Sequence, residues 1–130
     1  MEITKQLAIF LDNRPGTLGR VCAALGKAGV NIYALSTSDT VDHSVLRMVV
    51  SDYRKAIQLL EAHNALVVED DVLMMDGDNQ PGGLARICRR LAAAKLNIEY
   101  CYCASSPSVK QGLLILRVSD PKKALKVLKS

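Results

Sequence analysis

The chain has 130 residues and a formal net charge of +4, and it is 49% hydrophobic, 23% charged and 4% aromatic. This composition is typical of a soluble globular protein, and the scarcity of aromatics disfavours a base-stacking nucleic-acid surface. The apolar run nearest the N-terminus, Leu7 to Leu11, is too short for a signal sequence or a membrane span, so we expect a cytoplasmic protein.

Two similar turns lie 66 residues apart, Asp12-Asn13-Arg14-Pro15-Gly16 and Asp78-Asn79-Gln80-Pro81-Gly82. The same interval relates five further pairs: Leu18 and Leu84, Cys22 and Cys88, Leu25 and Leu91, Asn31 and Asn97, and Ile32 and Ile98. So regular a repeat predicts one structural unit used twice, over residues 1–70 and 71–130. Because units of this size bury little core, we expect them to pack together and against a second chain, as a homodimer.

The first unit is predicted to follow the order strand, helix, strand, strand, helix, strand. Its elements are a strand over residues 3–11, a helix with Leu18, Val21, Cys22, Leu25 and Ala28 on one face, strands over 31–39 and 45–51, a helix capped by Ser51 or Asp52, and a strand over 66–68. Pro15 suits the first turn of the first helix, and Asp12 or Asn13 can accept hydrogen bonds from its free N–H groups. Residues 39–43 form a polar connection.

The second unit is predicted to repeat this order after an acidic triplet, Glu69-Asp70-Asp71, which is either a turn or a bulge in one long strand. Its elements are a strand over residues 72–75, a helix with Leu84, Ile87, Cys88, Leu91 and Ala94 on one face, strands over 97–104 and 113–118, and a helix capped by Asp120. It lacks its last strand. An unpaired sheet edge recruits partners, so we expect the first unit or another chain to fill that position.

The second strand of the second unit carries two cysteines and two tyrosines in alternation. Cys101 and Cys103 share one face of that strand, whereas Tyr100 and Tyr102 share a face with Ile98 and are expected in a core or an interface. Four cysteines in a cytoplasmic chain are expected to be thiols, and too few further ligands accompany them for a metal site. We therefore predict no metal and no cofactor.

The two polar turns indicate binding rather than catalysis. Helix starts attract anions through their free N–H groups and the helix dipole. The sequence contains no nucleophile–base motif, P-loop or dinucleotide fingerprint, so we expect no enzymatic activity. An acylphosphatase-like activity would want a suitably placed arginine in both turns, yet Arg14 has the neutral Gln80 as its counterpart.

The order of elements, with Asp-Asn-x-Pro-Gly-x-Leu before the first helix and Val-Asn-Ile after it, resembles the ACT domain. The stretch from Asp12 to Leu18 and from Gly29 to Ile32 is similar to the serine-sensing ACT domain of phosphoglycerate dehydrogenase. Two consecutive copies resemble small tandem-ACT proteins without a catalytic domain. The resemblance implies an α+β fold of two ferredoxin-like units, with antiparallel sheets covered by helices on one face.

The resemblance also implies a regulatory function, the binding of an amino acid at an interface between ACT units. In serine-sensing relatives the contacts come from the loop after the first strand and from the start of the second strand. The corresponding candidates here are Asp12, Asn13, Arg14, Gly16, Thr17, Leu18, Asn31 and Ile32, and in the second unit Asp78, Asn79, Gln80, Gly82, Gly83, Leu84, Asn97 and Ile98. Serine-sensing loops carry a histidine where this chain has Leu11 and Gly77, which leaves the identity of the ligand open.

Two alternatives to effector binding by itself follow from the same sequence. The chain can act in trans as a regulatory subunit of an enzyme of amino-acid metabolism, which is compatible with effector binding. RNA-recognition domains share this order of elements but read bases with aromatics on two central strands. The corresponding strands here carry only Phe10, so an RNA-binding function is the weaker hypothesis.

Overall fold

The computed structural model describes residues 1–39 and 43–130, and this part of the chain contains six strands and four helices. In chain order these are β1 (Glu2–Asp12), α1 (Thr17–Lys27), β2 (Ile32–Asp39), β3 (His43–Val50), α2 (Tyr53–Ala62), β4 (Leu66–Asp78), α3 (Gly83–Ala93), β5 (Ile98–Ala104), β6 (Gln111–Val118) and α4 (Pro121–Lys129). The predicted α+β order is confirmed. The polar connection predicted over residues 39–43 includes residues 40–42, which lie outside the described residues.

The first compact unit is formed by Lys5–Asp70. Its strands lie in the order β2-β3-β1-β4, and β3 is antiparallel to both β1 and β2. Alternate residues of β1 and β3 point to the face that α1 and α2 cover, because successive side chains of a strand point to opposite faces. The buried core consists of Leu7, Ile9, Leu25, Val30, Leu46, Met48, Val50, Ala56 and Leu60.

The second compact unit combines Met1–Thr4 with Asp71–Ser130. Its strands lie in the order β1-β4-β6-β5, and β6 is antiparallel to both β4 and β5. The strand position that the sequence left open beside β4 is filled by the first residues of β1, and Ile3 packs against the second core. That core consists of Leu73, Met75, Leu91, Leu96, Leu114, Leu116, Val118, Ala124 and Leu128. The division into compact units therefore differs from the predicted division at residue 70, because Met1–Thr4 belong to the second unit.

The acidic triplet Glu69-Asp70-Asp71 lies inside β4, which is continuous from Leu66 to Asp78. Of the two interpretations of this triplet, a turn is wrong, because the strand passes through it. The strands predicted over residues 66–68 and 72–75 are parts of this one strand. Like β1, β4 contributes residues to both compact units.

A bulge at the start of β5 corrects the predicted faces of that strand. Ile98 pairs with Val118, but the register shifts before Tyr100, which pairs with Arg117. The extra residue, Glu99, interrupts the alternation of side chains. Ile98 consequently packs against the helix-covered core, whereas Tyr100 and Tyr102 occupy the opposite face, so the prediction that all three share a face is wrong. The equivalent shift occurs in β2, between Ile32 and Ala34.

The four helices begin in two different ways. Asp52 and Asp120 cap α2 and α4, each accepting a hydrogen bond 3.1 Å long from the backbone N–H three residues later. By contrast, α1 follows Gly16 at φ 87° and α3 follows Gly82 at φ 85°, and these N-cap glycines supply no side-chain hydrogen bond. The prediction that Pro15 starts the first helix is wrong, because the left-handed glycine delays the helix until Thr17. Hydrogen bonding of the first-turn amides by Asp12 or Asn13 stays a prediction.

None of the helices in the described ranges has both the length and the apolarity needed to cross a membrane.

Truncating Ile3 tests the role of the N-terminal residues in the second unit. Ile3→Ala should lower the free energy of unfolding by about 1–2 kcal/mol, because a half-buried aliphatic side chain is lost from a core. Native-state hydrogen exchange should show reduced protection of β6 amides such as that of Leu116, with β3 amides less affected. Leu66→Ala, at a side chain that is 64% exposed, is the control and should cost less than about 0.5 kcal/mol. Lost protection confined to β3 would contradict this assignment.

Candidate ligand-binding site

Each compact unit contains a cavity beside the loop that joins its first strand to its first helix. The first-unit cavity has a volume of about 280 Å³, and its lining residues are Leu11, Asp12, Asn13, Arg14, Thr17, Leu18, Thr37, Ser44 and Leu46. The second-unit cavity has a volume of about 430 Å³, and it is lined by the loop and helix residues 77–85 and 87 and by the strand residues 103–105 and 112–114.

The two cavities are built from equivalent residues. Seven of the nine residues that line the first cavity have their counterpart at the interval of 66 in the second, and strand register matches the other two, Ser44 and Leu46, to Gly112 and Leu114. Strand pairing explains why distant parts of the sequence meet there. Leu11 pairs with Ser44 in the first unit, as Gly77 pairs with Gly112 in the second. Thr37 likewise pairs with Leu46. The internal repeat therefore extends from the backbone to the cavity walls.

The helix starts supply backbone donors at the edge of each cavity. In α1 the first i→i−4 hydrogen bond runs from the N–H of Arg20 to the carbonyl of Gly16, at 3.0 Å. The amides of Leu18 and Gly19 precede that bond, so helix geometry gives them no acceptor within the helix. In α3 the N–H of Arg86 makes the corresponding bond to Gly82, at 3.1 Å. Such amides and the helix dipole favour an anionic group.

Two arginines that the sequence analysis missed lie over these helix starts. A Cβ placed on Gly16 would be 3.1 Å from a guanidinium nitrogen of Arg20, and the equivalent distance from Gly82 to Arg86 is 3.9 Å. Arg20 and Arg86 are separated by the repeat interval of 66, and each follows its glycine by four residues, which places them one helical turn away. That spacing was the signal that could have identified them. The guanidinium groups add positive charge where the helix dipole is already positive.

The aspartates that open the two loops have different partners. Asp12 forms an ion pair with Arg14 at 3.6 Å, and both side chains are largely exposed. Asp78 instead accepts a hydrogen bond of 2.7 Å from Arg86. Ion pairs this exposed stabilise the fold little, so a ligand can exchange with either partner. The second-unit loop therefore already holds one carboxylate against its arginine.

The side chain of Asn79 holds the neighbouring loop. Its Nδ2 group donates to the carbonyl of Ser106 at 2.9 Å and to that of Val109 at 2.7 Å. Both partners are acceptors, which fixes the orientation of the side-chain amide. The Nδ2 group is thus occupied by hydrogen bonds within the protein, although Asn79, a predicted ligand contact, lines the cavity. Asn13 lines the first cavity.

Gly83, a predicted ligand contact, lines the second cavity, and its close neighbour is the loop itself. A Cβ at this position would lie 3.0 Å from the carbonyl oxygen of Asp78. The absence of a side chain therefore allows the loop to pack on α3. Gly82 and Leu84 flank it in the cavity wall, and Leu84, like its counterpart Leu18, is 41% exposed.

The remaining candidates lie outside the cavities. Asn31 and Asn97 precede the starts of β2 and β5, whereas the cavities contact the far ends of those strands. The backbone N–H of Asn31 donates to the hydroxyl of Ser51 at 2.9 Å, and that of Asn97 donates to Ser119 at 3.2 Å. Ile32 and Ile98 pack against the two cores. A contribution of Asn31 or Asn97 to ligand binding stays a prediction.

Cys103 was not predicted as a cavity residue, yet it lines the second cavity from the end of β5. Cys101 and Cys103 pair with Leu116 and Leu114, which places both thiols on the helix-covered face. Partial burial, followed by the nearby Cys88 and Cys103, raises the pKa of the Cys101 thiol above the ordinary 9.0. At neutral pH Cys101 is therefore protonated and a weak nucleophile.

No group of three or more potential metal ligands occurs within residues 1–39 and 43–130. The sequence analysis also missed the lining residues that strand pairing brings to the cavities, among them Thr37, Ser44 and Leu46 in the first unit and Gly112 and Leu114 in the second.

Comparison with known proteins identifies the family. The model of the ACT domain pair family matches residues 1–130. The solved structure of protein BT0572 from Bacteroides thetaiotaomicron is 35% identical in sequence, with a TM-score of 0.90, and the match covers 98% of this chain and 87% of that chain. None of the curated proteins matches this chain.

Two further similar structures are regulatory subunits of aspartate kinase. That from Thermus thermophilus is 16% identical with a TM-score of 0.72, covering 99% of this chain and 96% of that one. That from Thermus flavus is 17% identical with a TM-score of 0.66, covering 98% and 94%. At these identities the likeness shows the fold alone. Together with the repeated loops and the full-length family match, it leads to one conclusion: the chain belongs to the ACT domain pair family.

Proposed function

We propose that this chain is a non-catalytic regulatory protein that binds an amino acid at the loop cavities of its two units. One repeated feature carries the proposal. In both units a cavity is bordered by the residues at a helix start whose N-cap glycine has no capping side chain, and by an aspartate at the loop entrance. An arginine one turn into each helix lies beside that glycine. The expected cytoplasmic location and homodimeric state belong to the same proposal.

The chemistry of each loop suits a zwitterion. The carboxylate of an amino acid would accept hydrogen bonds from the first-turn amides and from Arg20 or Arg86, since both favour negative charge. The ammonium group would donate to Asp12 or Asp78, whose carboxylates lie at the loop entrance. Because the ion pairs of Asp12 with Arg14 and of Asp78 with Arg86 are exposed, this exchange needs little rearrangement.

Thermal unfolding in the presence of each common amino acid tests this function directly. A ligand at about 100 times its dissociation constant stabilises the folded state by about 2.7 kcal/mol. At least one amino acid at millimolar concentration should therefore raise Tm by several degrees. The corresponding amine and the corresponding carboxylic acid, each lacking one charge, should raise Tm less. If no amino acid changes Tm, the proposed ligand class is wrong.

Removing the two loop arginines should weaken binding without unfolding the protein. The double variant Arg20→Gln/Arg86→Gln loses two exposed charge-assisted hydrogen-bond donors, so we expect the dissociation constant of the responding amino acid to rise about 5- to 10-fold, measured by titration calorimetry. The control is Lys27→Gln/Arg89→Gln, which removes the same charge from the same helices outside the cavities. Equal affinities in the two double variants would argue against a role for the arginines.

A regulatory subunit acting in trans is the second candidate function. Two similar structures are regulatory subunits of aspartate kinase, and a third contains aspartokinase alpha and beta subunits at 18% identity. A pull-down from the native organism with the tagged chain should recover an enzyme of amino-acid metabolism, and the responding amino acid should change the amount recovered. Recovery that is insensitive to the amino acid would separate partner binding from sensing, and no enzyme recovered at any amino-acid concentration would contradict the trans function.

A further inference from the structure

The two cavities share one backbone frame but differ in their walls. Four of the equivalent positions lose side-chain bulk or polarity from the first unit to the second, and these are Leu11 to Gly77, Thr17 to Gly83, Ser44 to Gly112 and Thr37 to Cys103. Arg14 is also replaced by the neutral Gln80. The second cavity is correspondingly larger, about 430 Å³ against 280 Å³.

The additional wall of the second cavity is apolar. The smaller residues of the second cavity leave room for lining residues without a counterpart in the first. These include Ala85, Ile87, Ala104 and Leu113, beside Leu84 and Leu114. The first cavity is bordered mainly by polar groups, with Leu11, Leu18 and Leu46 as its apolar residues. An apolar wall stabilises a bound aliphatic side chain by removing its surface from water, whereas a small polar cavity excludes a bulky side chain.

We propose that the second-unit cavity selects an amino acid with a bulky aliphatic side chain, whereas the first-unit cavity accepts only a small one. This inference rests on the proposed function, because the loop chemistry anchors the same zwitterion in both units. The size selection is set by residue 77 in the second unit and by residue 11 in the first.

Position 77 offers a direct way to change this selection. A Cβ on Gly77 would lie 3.9 Å from the Cβ of Leu114, an ordinary contact, so a side chain can enter without striking the backbone. Its counterpart Leu11 shows that a leucine fits this strand position and borders the cavity. Gly77→Leu should thus fill the second cavity while keeping its loop, and Leu11→Gly should open the first.

Thiol alkylation reports which cavity a ligand occupies. Cys103 lines the second cavity and is exposed, and Thr37→Cys introduces a thiol at the equivalent place in the first. Cys101, which does not line the cavity, serves as the reference thiol. Reaction with iodoacetamide, followed by mass spectrometry of the labelled peptides, then measures protection of each cavity in the full chain.

The probes are L-leucine and L-serine. We expect saturating L-leucine to slow alkylation of Cys103 at least 3-fold, and L-serine to protect the thiol introduced by Thr37→Cys instead. Gly77→Leu should weaken L-leucine binding about 10-fold or more by calorimetry, a usual penalty for steric misfit in an apolar pocket. Leu11→Gly should extend L-leucine protection to the first cavity.

The controls separate a change in selection from damage to the fold. Gly26→Leu makes the same replacement in α1, where nothing lies within 4 Å of the added Cβ, and should leave L-leucine binding unchanged. Gly77→Ala should give an intermediate effect, and Tm verifies that each variant is folded. L-serine protecting Cys103 as well as L-leucine does, or unchanged L-leucine affinity in folded Gly77→Leu, would overturn the selection while leaving amino-acid binding intact. Binding of no amino acid to either cavity would overturn the proposed function as well.

Discussion

The glycine that begins each of two helices sets the chemistry of this molecule. Gly16 and Gly82 adopt the left-handed conformation, which turns the chain sharply and starts α1 and α3 with amides that precede the first helical hydrogen bond. In α2 and α4 an aspartate occupies this place and satisfies one of those amides. The same chain therefore contains two helix starts with an N-cap side chain that accepts a hydrogen bond and two whose N-cap residue has no side chain.

The arginines above the open helix starts reinforce this difference. A cation near a helix N-terminus is repelled by the positive end of the dipole, so this placement does not stabilise the unliganded fold. It does stabilise an anion held between the amides and the guanidinium group. In the second unit the Asp78 carboxylate partly takes the place of such an anion, because its oxygen lies 2.7 Å from a guanidinium nitrogen of Arg86. A ligand carboxylate would have to compete with it there, whereas Asp12 in the first unit pairs with Arg14.

The repeat made the order of elements and the two loops beside the cavities predictable, because local patterns of apolar residues and turn residues determine them. The features that could not be predicted from the sequence depend on pairing between distant segments. The filling of the second unit's open edge joins the N-terminal residues of β1 to β4 in the middle of the chain, and Ser44 reaches the cavity only through its register with Leu11. The bulge at Glu99 was missed because simple alternation fitted the sequence of β5 equally well.

The two cavities can differ because backbone groups would anchor the ligand, whereas side chains determine the size of each cavity. In the proposed sites the anchor for a zwitterion would consist mainly of backbone amides, which remain as long as the glycine turn remains, whatever the neighbouring side chains are. The wall positions on strands, such as 11 and 77, have a geometry that is fixed by the ladder, so their side chains can change size without moving the anchor. Replacing Leu11 by its counterpart Gly77 is such a change. Two unequal sites in one chain can respond to two amino acids, and any coupling between them requires that each ligand prefer the same arrangement of the protein.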